Sequence, residues 1–410
     1  MTVDGAQGEG GGQVLRYAMT CSALTGIPVR VINIRANRPK GGGLRAQHLE
    51  SAKIVAELTG GCFLEKSLTE GSTELVFDPR GSAASLSGRG SAASLSGRGT
   101  RRGGEIQGHA STAASITLML QAALIPAYMR STENDPVHVV GPMVRHFGIH
   151  LDVKCRRVGY YPRGGGSVRA TVSRTSAGRE RLQGVQLVGG RDPARKVEFV
   201  HVHGYFAGRP IPQDTAEGVI TLIEHHMKEE LCEFENKQDE FHKYDERLLQ
   251  LSRAPYEINF RRPLPDSLKD VGYGIVAAVG YNDGSVVGAD CLSDKFEFDT
   301  VVVWRKVDDD LERLTATILN DVMAGATVDI HMADMCVPLM MAAEGTSAVL
   351  FRGPPSSHLE TAVRIASQFG GKFSMKELIP AATEHCPGWP GNHKVGALWE
   401  LRCEGLGLSF

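Results

Sequence analysis

The chain has no C-x-x-C pair: its eight cysteines, Cys21, Cys62, Cys155, Cys232, Cys291, Cys336, Cys386 and Cys403, stand singly. That spacing offers neither a zinc knuckle nor a dithiol couple, and leaves reduced, mostly buried thiols as the expectation. No run of eighteen apolar residues is present, and the amino terminus lacks a basic stretch followed by an apolar one. A membrane span and a secretory leader are therefore not expected, and a soluble intracellular protein is. An excess of one charge is missing too. Lys and Arg number 45 against 47 Asp and Glu, for a net charge of -2, so any site for a polyanion must be a local patch. No G-x-S-x-G elbow occurs, which removes that hydrolase signature although Ser356 and Ser357 adjoin His358.

What is present is an ordinary globular balance: 410 residues, 42% hydrophobic and 22% charged, enough for about two domains. "VLRYAMTCSALTG" predicts a helix closed by Gly26, "IPVRVINIR" a strand, and Ala46 to Leu58 a helix with Leu49, Ala52, Val55 and Leu58 on one face. "TELVFDP" reads as a strand stopped by Pro79. This alternation marks an α/β layered fold. From Gly81 to Arg98 the nine residues "GSAASLSGR" are repeated without a change, with no apolar ladder, and read as a loop expansion. An apolar helix is expected from Ser111, exposed helices between Thr221 and Gln250, strands at "YGIVAAVGY" and "SVVGADCL", and a helix from Leu311 to Met323. Composition shifts over Gly184 to Lys269. The expected layout is a large domain of residues 1-183 and 270-410 with a small domain, 184-269, inserted in it.

The stretch "DGAQGEGGGQVLR", Asp4 to Arg16, is not a Walker A loop, since Gln13 and Val14 stand where that motif needs Lys. No strand of useful length is expected before it, which argues against a dinucleotide fingerprint. A backbone held close to a ligand remains, with Glu9 pointing in. A carboxylate beside phosphates is repulsive unless a divalent metal lies between them, which would make Glu9 a metal ligand and Arg16 a phosphate clamp. A plain glycine-rich turn is the other reading. Two basic patches, Arg35, Arg38, Lys40 and Arg45, then Lys154, Arg156, Arg157, Arg163 and Arg169, are either anion sites or solvated turns. His48 accompanies Arg45 and Gln47 at a helix start.

In "GPPSSHLETAVRIASQF", Ser357 and Glu360 have capping-box spacing, which places His358 at the first helical position. The helix dipole there favours a neutral, nucleophilic ring and the open amides await an anion, so His358 could attack phosphorus. An incidental histidine in a first turn is the alternative. His201 and His203 on one strand face, and His225, Glu229 and Cys232 at helical spacing, lack a further ligand and are weak metal candidates.

Taken in order, "DGAQGEGGGQVLR", "IRANRPKGGGLRAQHL", "HASTAASITLMLQ", "GYYPRGGG", "VDIHMADMCVPLMMA" and "SSHLETAV" resemble the RNA 3'-terminal phosphate cyclase family over most of the chain. The resemblance implies an α/β (α+β) fold, with a large domain of repeated βαβαββ units and a smaller inserted α/β domain. It implies an ATP-dependent enzyme of the catalytic, eukaryotic-type branch that converts an RNA 3'-phosphate to a 2',3'-cyclic phosphate through histidyl-AMP and RNA-adenylate intermediates. By matching of motifs, His358 is the nucleophile and Glu9 approaches the metal, Mg2+ or Mn2+. Gln121, His331, Asp334 and Met335 line the ATP site, and Arg16, Arg38, Arg45, Gln47 and His48 hold the RNA phosphate. His331 and Met335 stand where the family carries Tyr and Gln, and the segment from Met129 to Val140 is shorter than the family's. RNA 3' ends are the implied partner, no membrane is, and the implied location is nuclear, in the nucleoplasm, with the cytoplasm as a second compartment. A cyclase-like factor in ribosomal RNA processing, without the nucleophile pattern, is the alternative. Enolpyruvyl transfer on a similar fold would need different basic motifs.

Overall fold

The structure is a computed structural model that describes residues 1–8, 10–38, 41–64, 67–81, 92–94, 106–108, 119, 121–124, 139–157, 166–174, 181–207, 217–218, 221–222, 225–226, 246–261, 272–293, 300–382 and 394–409. A three-residue strand, Thr2–Asp4 (β1), precedes the glycine-rich stretch, where none was expected. Helix Gly12–Thr25 (α1) follows and ends at Gly26, whose φ of 70° gives the left-handed cap foreseen for it. Every residue from Gln13 to Leu24 is buried, so α1 is a central helix rather than a surface one. Strand Val29–Ile32 (β2) is shorter than expected, because Asn33 (φ 52°) and Arg35 (φ 57°) turn the chain away. Helix Ala46–Thr59 (α2) and strands Cys62–Leu64 (β3), Leu75–Asp78 (β4) and Ala92–Ser94 (β5) complete the first sheet.

Helix Val140–His146 (α3) and the hairpin Ile149–Arg157 (β6) and Ser167–Arg174 (β7) come next, then Gln186–Leu187 (β8). A separate run follows: Val197–Ala207 (β9), Glu246–Arg253 (α4), Tyr256–Arg261 (β10), Gly272–Tyr281 (β11), Val286–Leu292 (β12) and Thr300–Ala324 (α5). The chain closes with Ile330–Ala342 (α6), Thr346–Gly353 (β13), Ser357–Gln368 (α7), Lys372–Ile379 (β14) and Ala397–Glu404 (β15).

Two of the sheets are copies. In the first the order is β1-β2-β4-β3, with β5 beyond; in the other it is β8-β13-β15-β14. In each the first pair is parallel and the next two are antiparallel. The sequence of elements is βαβαββ both times, β1-α1-β2-α2-β3-β4 and β8-α6-β13-α7-β14-β15. The repeated unit is thus visible twice, and α1 corresponds to α6 as α2 does to α7. The helices pack into one core that joins both copies, with Val14, Val55, Phe77, Val337, Phe351 and Leu359 among its members.

The second copy is interrupted between its first strand and first helix. Residues 188–329 build their own sheet, β10-β9-β11-β12, and their own core around Val200, Tyr273, Ile275, Leu311, Ile318 and Val322. The insertion expected over 184-269 is therefore corrected: β8 belongs to the large sheet, and β11, β12 and α5 belong to the insertion. Composition marked only the charged part of it, since an apolar strand such as β11 reads alike in either core. Its two connections cross backbone to backbone. A Cβ on Gly190 would lie 1.8 Å from the Gly325 carbonyl oxygen. Beside this crossing the buried Arg195 guanidinium donates to the carbonyls of Gly190 (3.4 Å) and Ala326 (3.0 Å) and to Ser285 Oγ (2.8 Å), and lies 3.4 Å from the Tyr281 ring centroid.

The duplicated loop, apart from Gly81 and residues 92–94, and most of the helix expected from Ser111, lie outside the described residues. No helix among the described residues is long and apolar enough to cross a membrane.

Candidate active site

Three helix starts meet in one cleft. Helix α1 opens at Gly11, α2 at Arg45 and α7 at Ser356. Their first turns bring Gly12, Gln13 and Arg16, then Gln47 and His48, then His358 and Thr361, to the lining of a cavity of about 420 Å³, joined by Arg35 and Arg38 from the loop before α2. A helix start presents backbone N–H groups with no intrahelical acceptor and the positive end of the peptide dipoles. Adding the guanidinium groups of Arg16, Arg35, Arg38 and Arg45 makes this a place for an anion with several oxygens.

The positions foreseen for an RNA phosphate, Arg16, Arg38, Arg45, Gln47 and His48, all line this cleft, and His358 lies on the same wall. Arg16 is buried, and its Nε donates to Gln121 Oε1 at 3.3 Å. His48 is 8% exposed and its Nδ1 accepts the Arg45 backbone N–H at 3.0 Å, closing the start of α2. Burial, with Arg35, Arg16 and Arg45 close by, pushes its imidazole down to about 4. The lack of a side chain at Gly12 leaves room for the His48 ring to seat against the start of α1.

His358 sits one position later than expected. The cap is Ser356, whose Oγ accepts the Leu359 N–H at 3.1 Å, so Ser357 is the first helical residue and His358 the second. Pro354 and Pro355 hold the chain extended up to Ser356, which fixes that residue as the cap. The His358 side chain is 47% exposed, and its Nδ1 lies 3.9 Å from Asp334 Oδ2. Gln13 ties the two together: its Nε2 donates to the His358 carbonyl at 2.9 Å and to Asp334 Oδ2 at 3.4 Å.

Asp334 belongs to α6, which Asp329 caps by accepting the N–H groups of His331 (3.0 Å) and Met332 (2.8 Å). Burial pushes the Asp334 carboxyl up to about 6, against the pull of His358 and His331. Behind it Tyr17 donates to the Asp334 carbonyl at 2.6 Å and receives the Gln121 amide at 3.1 Å. Gln121 and Met335 border a narrow cavity with Arg16 and Tyr17. Of the four residues expected around ATP, Gln121, Asp334 and Met335 are thus gathered beside the cleft, while His331 is exposed one turn before Asp334.

Glu9 lies outside the described residues, as does Arg163. Lys154, Arg156 and Arg169 of the second patch are on the β6–β7 hairpin, not in the cleft lining. His201 pairs with Glu257 at 3.3 Å and stacks on Phe199; Glu229 and Cys232 are outside the described residues. Among the described residues no three His, Cys, Asp or Glu side chains come together to hold a metal ion. Sequence reasoning missed Gln13 and Tyr17. The available signal was a pair of polar residues, one turn apart, in a helix otherwise too apolar to need them.

The sequence model of the RNA 3'-terminal phosphate cyclase family matches residues 7–136 and 134–375. A protein described as RNA 3'-terminal phosphate cyclase from Methanopyrus kandleri is 30% identical over 406 residues, 94% of this chain and 98% of that one. Another from Desulfurococcus amylolyticus is 28% identical over 388 residues, 90% and 92% of the two chains. A third, from Archaeoglobus fulgidus, is 38% identical over 192 residues, 42% and 50%. With its family model matched nearly end to end, two copies of the βαβαββ unit and the motif residues gathered at one cleft, the chain belongs to the RNA 3'-terminal phosphate cyclase family.

Proposed function

We propose that the chain closes RNA 3'-terminal phosphates to 2',3'-cyclic phosphates at the expense of ATP, with His358 carrying AMP between the two substrates. The observation behind this reading is the meeting of three helix starts and four guanidinium groups at a cleft whose wall includes His358. In the first step Nε2 of His358 attacks the α-phosphorus of ATP, a new P–N bond forms, and the bond to the β-phosphate oxygen breaks to release pyrophosphate. Asp334, on the Nδ1 side of the ring, favours the proton there, which leaves the lone pair on Nε2 and balances the positive charge that develops. Gln13 holds the turn and the carboxylate in register.

An oxygen of the RNA 3'-phosphate then attacks the same phosphorus, the P–N bond breaks and an RNA-adenylate results. The neighbouring 2'-hydroxyl attacks the terminal phosphorus, AMP leaves, and the hydroxyl proton passes to water. That hydroxyl is already tethered beside its target, so its effective concentration is high and only RNA possesses it. Arg16, Arg38, Arg45, Gln47 and His48 hold the terminal phosphate; Gln121, His331, Asp334 and Met335 face ATP. Mg2+ or Mn2+ would accompany the nucleotide and draw charge from its phosphates. Glu9, set beside the ion by the motif match, lies outside the described residues, among which no three His, Cys, Asp or Glu side chains come together to hold it.

The test is incubation with ATP labelled at the α-phosphate and with the divalent ion, beside a His358→Ala variant. An acid-labile, alkali-stable adduct on the unaltered chain alone, discharged by RNA bearing a 3'-phosphate, is the expected result. Absence of an adduct on folded protein would sink the reading and leave an assembly role in ribosomal RNA processing.

A further inference from the structure

The joint between second strand and second helix differs between the two copies. In the first it runs over residues 33–45; in the second it is Pro354, Pro355 and Ser356, set between the end of β13 and the start of α7. A proline fixes its own φ and keeps the residue before it extended, so this short joint has little freedom of its own. Whatever holds the end of β13 therefore holds the turn that carries His358.

Two contacts do so. Gly353 lies under the Trp399 ring of β15, whose Cδ1 would stand 2.1 Å from a Cβ at that position. Arg352 reaches the insertion instead: its stem lies against Gly396, and its Nε donates to Asp321 Oδ1 at 2.6 Å. Asp321 stands in the last turn of α5, the closing helix of the insertion, and its side chain is 1% exposed. The same helix is seated in the insertion's own core by Ile318 and Val322. The geometry points to Asp321 and Arg352 as positioning residues for the nucleophile: through them the insertion fixes where His358 stands. Neither is among the described residues that line the cleft, so they act through β13 and not on a substrate. The partner of His358 is tied in the same way. Asp329, the cap of α6, also accepts the backbone N–H of Gly288 in β12, and Asp334 follows on that helix. Both members of the His358–Asp334 pair thus sit on elements anchored to the insertion.

The effect on AMP transfer rests on the cyclase reading; the placement of the ring does not. Removing one partner of a buried ion pair strands a charge and endangers the fold, so the test uses the double variant Asp321→Asn/Arg352→Met, which leaves neither charge. Arg352→Lys, which keeps a cation for Asp321, stands beside it. The full chains are incubated with ATP labelled at the α-phosphate, and rates are taken per folded molecule. The double variant is expected to lose about tenfold or more in maximal labelling rate, while the ATP concentration for half-maximal labelling moves less than about twofold. Arg352→Lys should stay within about threefold of the unaltered chain. In 15N-histidine spectra without ATP, the His358 signal, identified by its loss in His358→Gln, should shift in the double variant and hold its place in Arg352→Lys. A folded double variant with full maximal rate, a change confined to half-saturation, or an unmoved His358 signal would overturn the proposal. An unaltered chain that ATP never labels would reject the cyclase reading, and the spectra would still decide the positioning role.

Discussion

Asp334 is ionised in a place that resists ionisation. Its side chain is 8% exposed, and burial raises its carboxyl to about 6, above the ordinary value near 3.9. Between those two pH values the folded chain binds more protons at this group than the unfolded one, so stability falls as pH rises from about 4 to about 6 and stays lower above that. Asp334→Asn removes the penalty. Urea midpoints should show the variant more stable at pH 8 by up to about 3 kcal/mol, with the gain gone near pH 4. The same change should lower His358 labelling by ATP at least about 100-fold, and labelling of the unaltered chain should decline below about pH 6. Stability is thus given up for a carboxylate beside the ring. At this scale the site was largely legible: Arg16, Arg38, Arg45, Gln47, His48 and His358 each belong to a short motif whose chemistry shows locally. Gln13 and Tyr17 were not, because they act on α6, with Gln13 reaching a partner 321 residues further along.

The proposed chemistry depends on one element, a capped helix start. Ser356→Ala removes the acceptor for the Leu359 N–H and should cost about 1 kcal/mol in denaturant unfolding. Because His358 lies in that same turn, the labelling rate should fall by more than the lost stability explains, which parallel urea and labelling curves would reveal. Helix α1 was readable in advance from its terminal Gly26 and α2 from 3.6-residue periodicity. Strand β1 was not, since three residues are too few for any period. The cap of α7 was displaced by one residue because two serines compete for it, and the prolines before them decide.

For the whole molecule, a net charge of -2 supplies no general field for a polyanion, so under the proposed function the attraction for RNA rests on local basic groups, those of the cleft among them. Binding of a 3'-phosphorylated oligonucleotide should weaken with salt at a slope of roughly -3 in log–log form, about 0.7 for each of four arginines, and removing the 3'-phosphate should abolish most of it. The insertion depends on Arg195, which ties its connections to the β11–β12 turn. Arg195→Ala should destabilise the chain by about 3 kcal/mol and split its unfolding into two transitions, the insertion first. Its limits escaped the sequence because burial pattern does not say which core a strand enters.

The repeat has a historical meaning. The joint between first strand and first helix is the glycine stretch in one copy and residues 188–329 in the other; one stayed short where a ligand must approach the backbone, the other was open to acquisition of a subdomain. The two copies carry two histidine-bearing helix starts, His48 in α2 and His358 in α7. Under the proposed function those two helix starts divide the work, His48 holding a phosphate and His358 carrying the nucleotide.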